Sequence, residues 1–194
     1  MRFDFRGQAA HAGTTPMAAR RDAGLAAAEA ALAIEAIPEL EGGVVTTGEL
    51  RLQPGVPSAV AGRAVLAADL RHPESEPLAR MLAAARQRCA EIAARRGCEL
   101  GESPVFRIEP IPFDTRLALM ARAACAAVAG EPASLPSGAL HDAAEVARVL
   151  PAAMVFAPSR DGISHAREED TDEADLRLAI TAYAELAARL VADE

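Results

Sequence analysis

The feature that most constrains this chain is a change of pattern at Pro110 and Pro112. Before it, stretches that alternate apolar and polar residues take turns with stretches of helical spacing; after it, helical spacing dominates. Residues 3–9 alternate as a strand, and His11-Ala12-Gly13-Thr14-Thr15-Pro16 follows as a polar, breaker-rich turn. Thr15 as N-cap and Pro16 at the first helical position predict a helix that carries Leu25, Ala28, Leu32 and Ala36 on its buried face and ends at Pro38. Residues 44–52 and 62–70 alternate as two further strands, closed by Pro54-Gly55 and by Pro73. Residues 74–96 place Leu78, Met81, Leu82, Ala85, Cys89 and Ile92 on one helical face, Gly97 stops that helix, and residues 105–111 read as a last strand. The order βαββαβ permits a small antiparallel sheet with both helices on one face.

Beyond the prolines the reading is a helix over 115–129, a Pro/Ser/Gly loop, a helix starting near His141, an apolar strand over 153–157 and a final helix over 173–192. That last helix puts Leu176, Ile180, Tyr183, Ala187 and Leu190 on one face and needs a sheet to cover. One short strand is too little sheet, because a continuous apolar strand normally sits inside a larger sheet with helices on its faces. The expected fold class is therefore mixed α+β and α/β: a βαββαβ domain over 1–108, then a segment over 109–194 that reads as part of a larger domain.

Composition narrows the function. A content of 51% hydrophobic and 25% charged residues is globular, while aromatics at 3%, no Trp and Ala at roughly a quarter of the chain favour helix. The 20 basic residues are all Arg and are outnumbered by 28 acidic ones, for a net charge of −8. That balance opposes non-specific nucleic-acid binding, which needs clustered cations. No apolar run approaches the roughly 20 residues of a membrane span, and the N-terminal residues lack the apolar stretch of a secretory signal, so the expectation is a cytoplasmic protein. Cys89, Cys98 and Cys125 are odd in number and lack C-x-x-C spacing, which reads as core thiols.

Of the four His, three lie in polar, Gly-containing loops: His11, His141 and His165. Loops at strand ends are where sites are built, although any one such His is most often a solvated imidazole. No pair has the i,i+4 spacing of a helical metal site, and no phosphate-binding or nucleophile-elbow motif occurs. Glu168, Glu169 and Asp170 after His165 suit a divalent ion, but an acidic run at a helix start is more often a solvated N-terminus. Ser137, His141 and Asp142 are too close in sequence to act easily as nucleophile, base and orienter.

Three strings carry a resemblance: Gly7-Gln8-Ala9-Ala10-His11-Ala12-Gly13-Thr14-Thr15-Pro16-Met17 with Arg20-Arg21-Asp22-Ala23; Ser137-Gly138-Ala139-Leu140-His141-Asp142-Ala143; and Pro158-Ser159-Arg160-Asp161-Gly162-Ile163-Ser164-His165. Together they resemble the M20-type amidohydrolases, within them the group of allantoate amidohydrolase, N-carbamoyl-L-amino-acid hydrolase and β-ureidopropionase. The resemblance implies hydrolysis of a linear amide C–N bond by a cytoplasmic homodimer that holds two divalent ions (zinc, manganese, cobalt or nickel) in a catalytic domain interrupted by a βαββαβ lid or dimerisation domain. In such enzymes most metal ligands and the catalytic Glu precede the lid, whereas this sequence starts at the first lid strand. The expectation is a C-terminal half, inactive alone, that belongs to a parent acting on a small carboxylate or ureido substrate, with no nucleic acid and no membrane as partner.

By the same resemblance His165 is a metal ligand, and His11 is the lid His that enters the partner subunit's site and assists the forming oxyanion. Arg71, in Asp69-Leu70-Arg71, holds the substrate carboxylate; Ser58, Gly138 and His141 also bind substrate. Two departures stand out: Ser58 replaces the Asn common thirteen residues before that Arg, and Leu140 replaces a Gly. Two other readings stay open: a non-catalytic dimerisation or binding module derived from such an enzyme, and an M20 peptidase or aminoacylase.

Overall fold

A computed structural model of the chain describes residues 1–192. It divides into two compact units, Met1–Pro110 and a second from Ile111 onward.

The first unit is built on a four-stranded antiparallel sheet of order β3-β5-β1-β6, with β1 Arg2–Arg6, β3 Val44–Gln53, β5 Arg63–Arg71 and β6 Glu99–Ser103. A separate two-stranded pair joins β2 Ala10–His11 to β4 Ala59–Val60. Alternation sets the faces: Phe3 and Phe5 of β1 and Ala64, Leu66 and Ala68 of β5 are buried, while Asp4, Arg63 and Arg71 fall on the other face. Helices α1 Ala23–Glu35 and α3 Ser75–Arg95 cover the buried face, α1 over β3 and β5, α3 over β5 and β6. The βαββαβ order holds for these main elements.

Three local expectations give way. Met17–Ala19 form a single 3-10 turn, and α1 starts at Ala23, capped by Asp22, whose Oδ1 accepts from Gly24 N at 2.9 Å and Leu25 N at 3.1 Å. The delay arises because Arg21 is extended against the first strand's exit, where Gln8 N donates to Arg21 O at 2.8 Å. The buried face of α1 is Ala23, Ala26, Ala27, Ala30 and Ile34, so Leu25 (48% exposed) and Leu32 (69% exposed) point away from the sheet. Small side chains let the helix lie close on the sheet, and closeness selected the Ala face over the Leu face. The last strand is β6, not residues 105–111, which run irregularly between Pro104, Pro110 and Pro112. Proline cannot donate to a ladder, so this segment is a poor strand.

Helix α3 buries Leu78, Met81, Ala85, Cys89 and Ile92 as its spacing predicts. Cys89 and Cys98 are buried thiols; burial is the main cause that pushes Cys89 up to about 12, which keeps it protonated and inert.

The first unit also holds the short helix α2 Pro38–Glu41, and the second unit holds α4 Thr115–Ala129, α5 Asp142–Val146 and α6 Glu173–Ala192. Asp114 caps α4, accepting from Leu117 N at 2.8 Å, and Gly130 ends it at a φ of 85°. Helices α4 and α6 pack through Ala121, Ala124 and Leu186, with Met120, Val155 and Leu190 at the margin. Residues 153–157 form no strand, since no neighbouring strand lies in this unit among the described residues. The face expected to be buried on α6 is also mostly open: Ile180 is 60% and Tyr183 67% exposed, while Ala182 and Leu186 are the buried residues, Leu186 packing on α4. None of the helices of the described residues is long and apolar enough to cross a membrane.

Candidate functional site

His11 sits where the chain leaves the sheet. Gly7 N donates to Gly62 O at 2.8 Å, and a Cβ on Gly7 would lie 2.0 Å from Arg21 O, so only glycine lets these two segments cross. Beyond the crossing, His11 pairs with Ala59 in the β2–β4 ladder, and Ala12 N donates to Ser58 O at 2.9 Å. The fold thus brings His11 and Ser58 together. The His11 ring is exposed, and its Nδ1 accepts from Gly13 N at 3.0 Å. A neutral imidazole that accepts at Nδ1 carries its proton on Nε2, so the ring presents an N–H donor to its surroundings.

The turn after His11 is held from outside by a residue to which sequence reasoning gave no role. Arg20 donates from Nε to Thr15 O at 3.0 Å and from Nη2 to Ala12 O at 2.6 Å, while Thr15 N donates to His11 O at 3.2 Å. The signal was present in the Arg20-Arg21-Asp22 string, but a guanidinium that satisfies backbone carbonyls cannot be told from a surface Arg by pattern.

Arg71 ends β5. Its Nε donates to Asp69 Oδ2 at 2.9 Å, two residues back on the same face, and this hydrogen bond is the main cause that raises its pKa. Arg71 aligns with Val44 at one end of the β3–β5 ladder, and Arg63 aligns with Gln53 at the other, beside the His11 crossing. The nine residues of β5 therefore separate Arg71 from the His11 and Ser58 end by about 26 Å, at about 3.3 Å per residue. Within one copy of the chain these candidates are not brought together.

In the second unit His165 lies on an exposed loop with a φ of 59°, the left-handed region that non-glycine residues seldom occupy. Its backbone N–H donates to Glu169 Oε2 at 2.7 Å, and Arg160 pairs with Asp170 at 2.9 Å and also with Asp172. The acidic run is thereby engaged in shaping the loop, a role for Glu169 that residue type alone did not reveal. His141 precedes α5, with its ring edge-on to Phe156 at 6.0 Å between centroids. Gly138 lies three residues earlier in the same loop, and a Cβ there would meet nothing within 4 Å, so the local backbone shows no close approach that requires glycine. Ser137 Oγ turns to its own loop, donating to Ala139 O at 3.2 Å.

Among the described residues no group of three or more His, Cys, Asp and Glu converges as a metal site. The exposed imidazole of His165 suits one bond to a borderline divalent ion, while its neighbouring carboxylates are committed to the loop. A concavity of about 790 Å³ along α4 and α6, lined by Thr115, Leu119, Met120 and Arg189, contains none of the candidate residues.

The model of Peptidase family M20/M25/M40 matches residues 7–189. The chain is 34% identical over 182 residues to an N-carbamoyl-L-amino-acid amidohydrolase of Paenarthrobacter aurescens, covering 91% of this chain and 43% of that protein. It is 31% identical over 189 residues to an allantoate amidohydrolase of Bacillus subtilis (strain 168), covering 95% of this chain and 45% of that protein. Among solved structures, an amidase of the hydantoinase/carbamoylase family from Burkholderia multivorans superposes with a TM-score of 0.89 at 36% identity, over 95% of this chain and 46% of that one. The chain thus spans less than half the length of the relatives it matches. With a family model over nearly its whole length and the same mixed α/β fold, the chain belongs to Peptidase family M20/M25/M40.

Proposed function

We propose that this chain is the lid and the C-terminal part of the catalytic domain of an amidohydrolase that cleaves the ureido C–N bond of N-carbamoyl amino acids or of an allantoate-like ureide. The lid takes the first unit and the catalytic part the second. Water adds to the carbamoyl carbon, the C–N bond breaks, and the amino nitrogen leaves with a proton. The observation that carries the chemistry is the His11 ring, whose Nδ1 is occupied by Gly13 and whose Nε2–H is left to donate. A donor aimed at an oxygen that gains charge stabilises the transition state more than the substrate. The substrate class is supported by the names of the relatives, N-carbamoyl-L-amino-acid amidohydrolase and allantoate amidohydrolase.

Arg71 takes the substrate carboxylate: Asp69 steadies a guanidinium that forks onto two oxygens. Ser58, Gly138 and His141 line the substrate, Ser58 with a shorter reach than the Asn of the resemblance. His165 contributes one ligand to a pair of divalent ions (zinc, manganese, cobalt or nickel), the others coming from residues outside this chain. Bound there, two such ions activate water and polarise the carbonyl.

A substrate a few ångströms long cannot span the length of β5, so His11 and Arg71 meet one substrate only if two copies share a site. The edge of the sheet supports such a pair. Strand β3 is an edge strand of ten residues, and beside it Leu25 and Leu32 of α1 and Leu50 and Leu52 of β3 are exposed. Edges left apolar and long invite another strand. When two copies join edge to edge about a two-fold axis, the Val44 end of one β3 lies beside the Gln53 end of the other. Arg71 then stands at the same end as the partner's His11.

The test uses the protein at its full encoded length. It should release amino acid from N-carbamoyl amino acids with a kcat/KM well above that for N-acetyl analogues; equal or better turnover of the acyl compounds overturns the substrate reading. Mixing His11→Ala and Arg71→Ala subunits, each inactive alone, should restore activity, because half of the shared sites in a mixed dimer carry both intact residues. Failure of the mixture to recover activity overturns the shared site.

A further inference from the structure

We propose that Arg20 is a positioning residue for His11: its guanidinium closes the turn that delivers Gly13 N–H to Nδ1, so that the ring is held as the Nε2–H donor. The inference rests on the reading of His11 as the donor to the oxyanion and adds the residue that prepares it.

The turn has few other restraints. Its 12–15 backbone meets the rest of the unit at one strand bond, Ala12 N to Ser58 O at 2.9 Å, and closes on itself through Thr15 N to His11 O at 3.2 Å. Arg20 ties the two ends together by filling Ala12 O at 2.6 Å and Thr15 O at 3.0 Å, the carbonyls that flank Gly13 and Thr14. A charged donor to two carbonyls fixes both the separation and the direction of the intervening peptide units. One of those units carries the N–H that reaches Nδ1 at 3.0 Å. Gly13 also leaves room: a Cβ there would stand 3.3 Å from His11 Cε1 and crowd the ring. Arg20 is itself anchored, being only partly exposed, and the chain that follows it is pinned by Gln8 N to Arg21 O at 2.8 Å and by the Asp22 cap.

An imidazole that accepts at Nδ1 cannot protonate there without losing that bond. The hydrogen bond therefore biases the tautomer, which is a property of His11 that a general loss of packing would not shift in one direction.

The test begins with the chain labelled with 15N-histidine, in which the signals of the four rings are assigned by substituting each His in turn. The wild-type His11 should show Nε2 protonated and Nδ1 bare when neutral. In Arg20→Ala the ratio of the two tautomers should fall about threefold to tenfold, the worth of one ordinary hydrogen bond. Arg20→Lys keeps a cation able to donate to both carbonyls and should recover most of the ratio. The His72, His141 and His165 signals report whether the variant is folded. A wild-type His11 protonated at Nδ1, or an Arg20→Ala ratio equal to wild type in a folded chain, overturns the proposal.

The second arm uses the protein at its full encoded length. Arg20→Ala should lower kcat about tenfold, with KM within about twofold and Arg20→Lys between. A changed tautomer with unchanged kcat overturns the positioning role provided that His11→Ala is inactive. If His11→Ala itself keeps full kcat, the reading of His11 as the donor fails, and that outcome is distinct from failure of Arg20 to set its tautomer.

Discussion

The two units bury their apolar residues very differently. Among the described residues, the large side chains fully hidden from solvent (Phe3, Phe5, Ile34, Ile37, Leu66, Met81 and Cys89) all belong to the first unit. There the sheet has helices on one face, and the cluster runs unbroken from β1 through α1 to α3. The core cluster of the second unit is Ala121, Ala124 and Leu186, while Leu119, Leu150, Ile180 and Tyr183 face outward. Exposed apolar surface on this scale marks a face able to take a further covering layer. The difference teaches how firmly each candidate is supported: His11 and Ser58 rest on a packed frame, His165 and His141 on loops beside a small helix–helix core.

The largest expected effect tests that contrast directly. Phe5→Ala removes a fully buried ring from the centre of the sheet and should cost about 3–5 kcal/mol. Leu186→Ala, in a cluster with few neighbours to leave a cavity against, should cost less than half of that. Urea unfolding of the chain, followed by signals from each unit, checks both. Equal costs would mean that the second unit is as fully packed as the first.

How much of this was legible beforehand follows the same division. The βαββαβ order was readable because in the first unit each strand and helix finds its partner within the chain, so that local periodicity and burial agree. The Leu78 to Ile92 stripe of α3 is the clear example. The helix α1 escaped because an Ala-rich helix has two usable faces, and close approach to the sheet rather than residue size decided between them. In the second unit the spacing from Leu176 to Leu190 predicts a buried stripe, yet Leu176, Ile180 and Tyr183 are exposed and Leu190 packs at the margin of the cluster. The motif strings marked His11 and His165 as candidates, and the resemblance they carry marked Arg71. Spacing held no record of the hydrogen bonds that shape their surroundings, so Arg20 and Glu169 became visible only from the distances.

A middle-sized effect sharpens the comparison. Ile180→Ser and Tyr183→Ser change exposed positions and should leave the stability of the 194-residue chain within about 0.5 kcal/mol. In the protein at full encoded length, where the proposed catalytic domain supplies a sheet for α6, the same changes should cost about 1–3 kcal/mol each. Thermal unfolding of the two forms in parallel checks the prediction. A loss of the same size in both forms would show that α6 already buries this face within the second unit, and the contrast between the units would lose its basis.

The smallest effect lies on the open face of the first unit's sheet, where charge rather than packing is the variable. Arg63 grips Asp4 with Nε to Oδ1 at 2.8 Å and Nη2 to Oδ2 at 3.0 Å, and Arg6 adds a contact at 3.1 Å. The hydrogen bond from Arg63 is the main cause that holds the Asp4 carboxyl below its ordinary range, with Arg6 in support and burial opposing. A carboxyl whose folded pKa lies below its unfolded value binds protons more readily when the chain is unfolded. Its contribution is therefore fully present above the unfolded value, about 3.9, and is lost as pH falls through the lower folded value. Asp4→Asn should lower stability near pH 7 by about 0.2–1 kcal/mol, since the pair is partly solvated. The gap between variant and wild type should stay constant from pH 7 to about pH 5 and then close as the medium becomes acid. Urea midpoints across that range read it out. A gap that stayed open in acid would show that Asp4 acts through its shape within the sheet, and the first unit would then owe its firmness to packing on both faces instead of one.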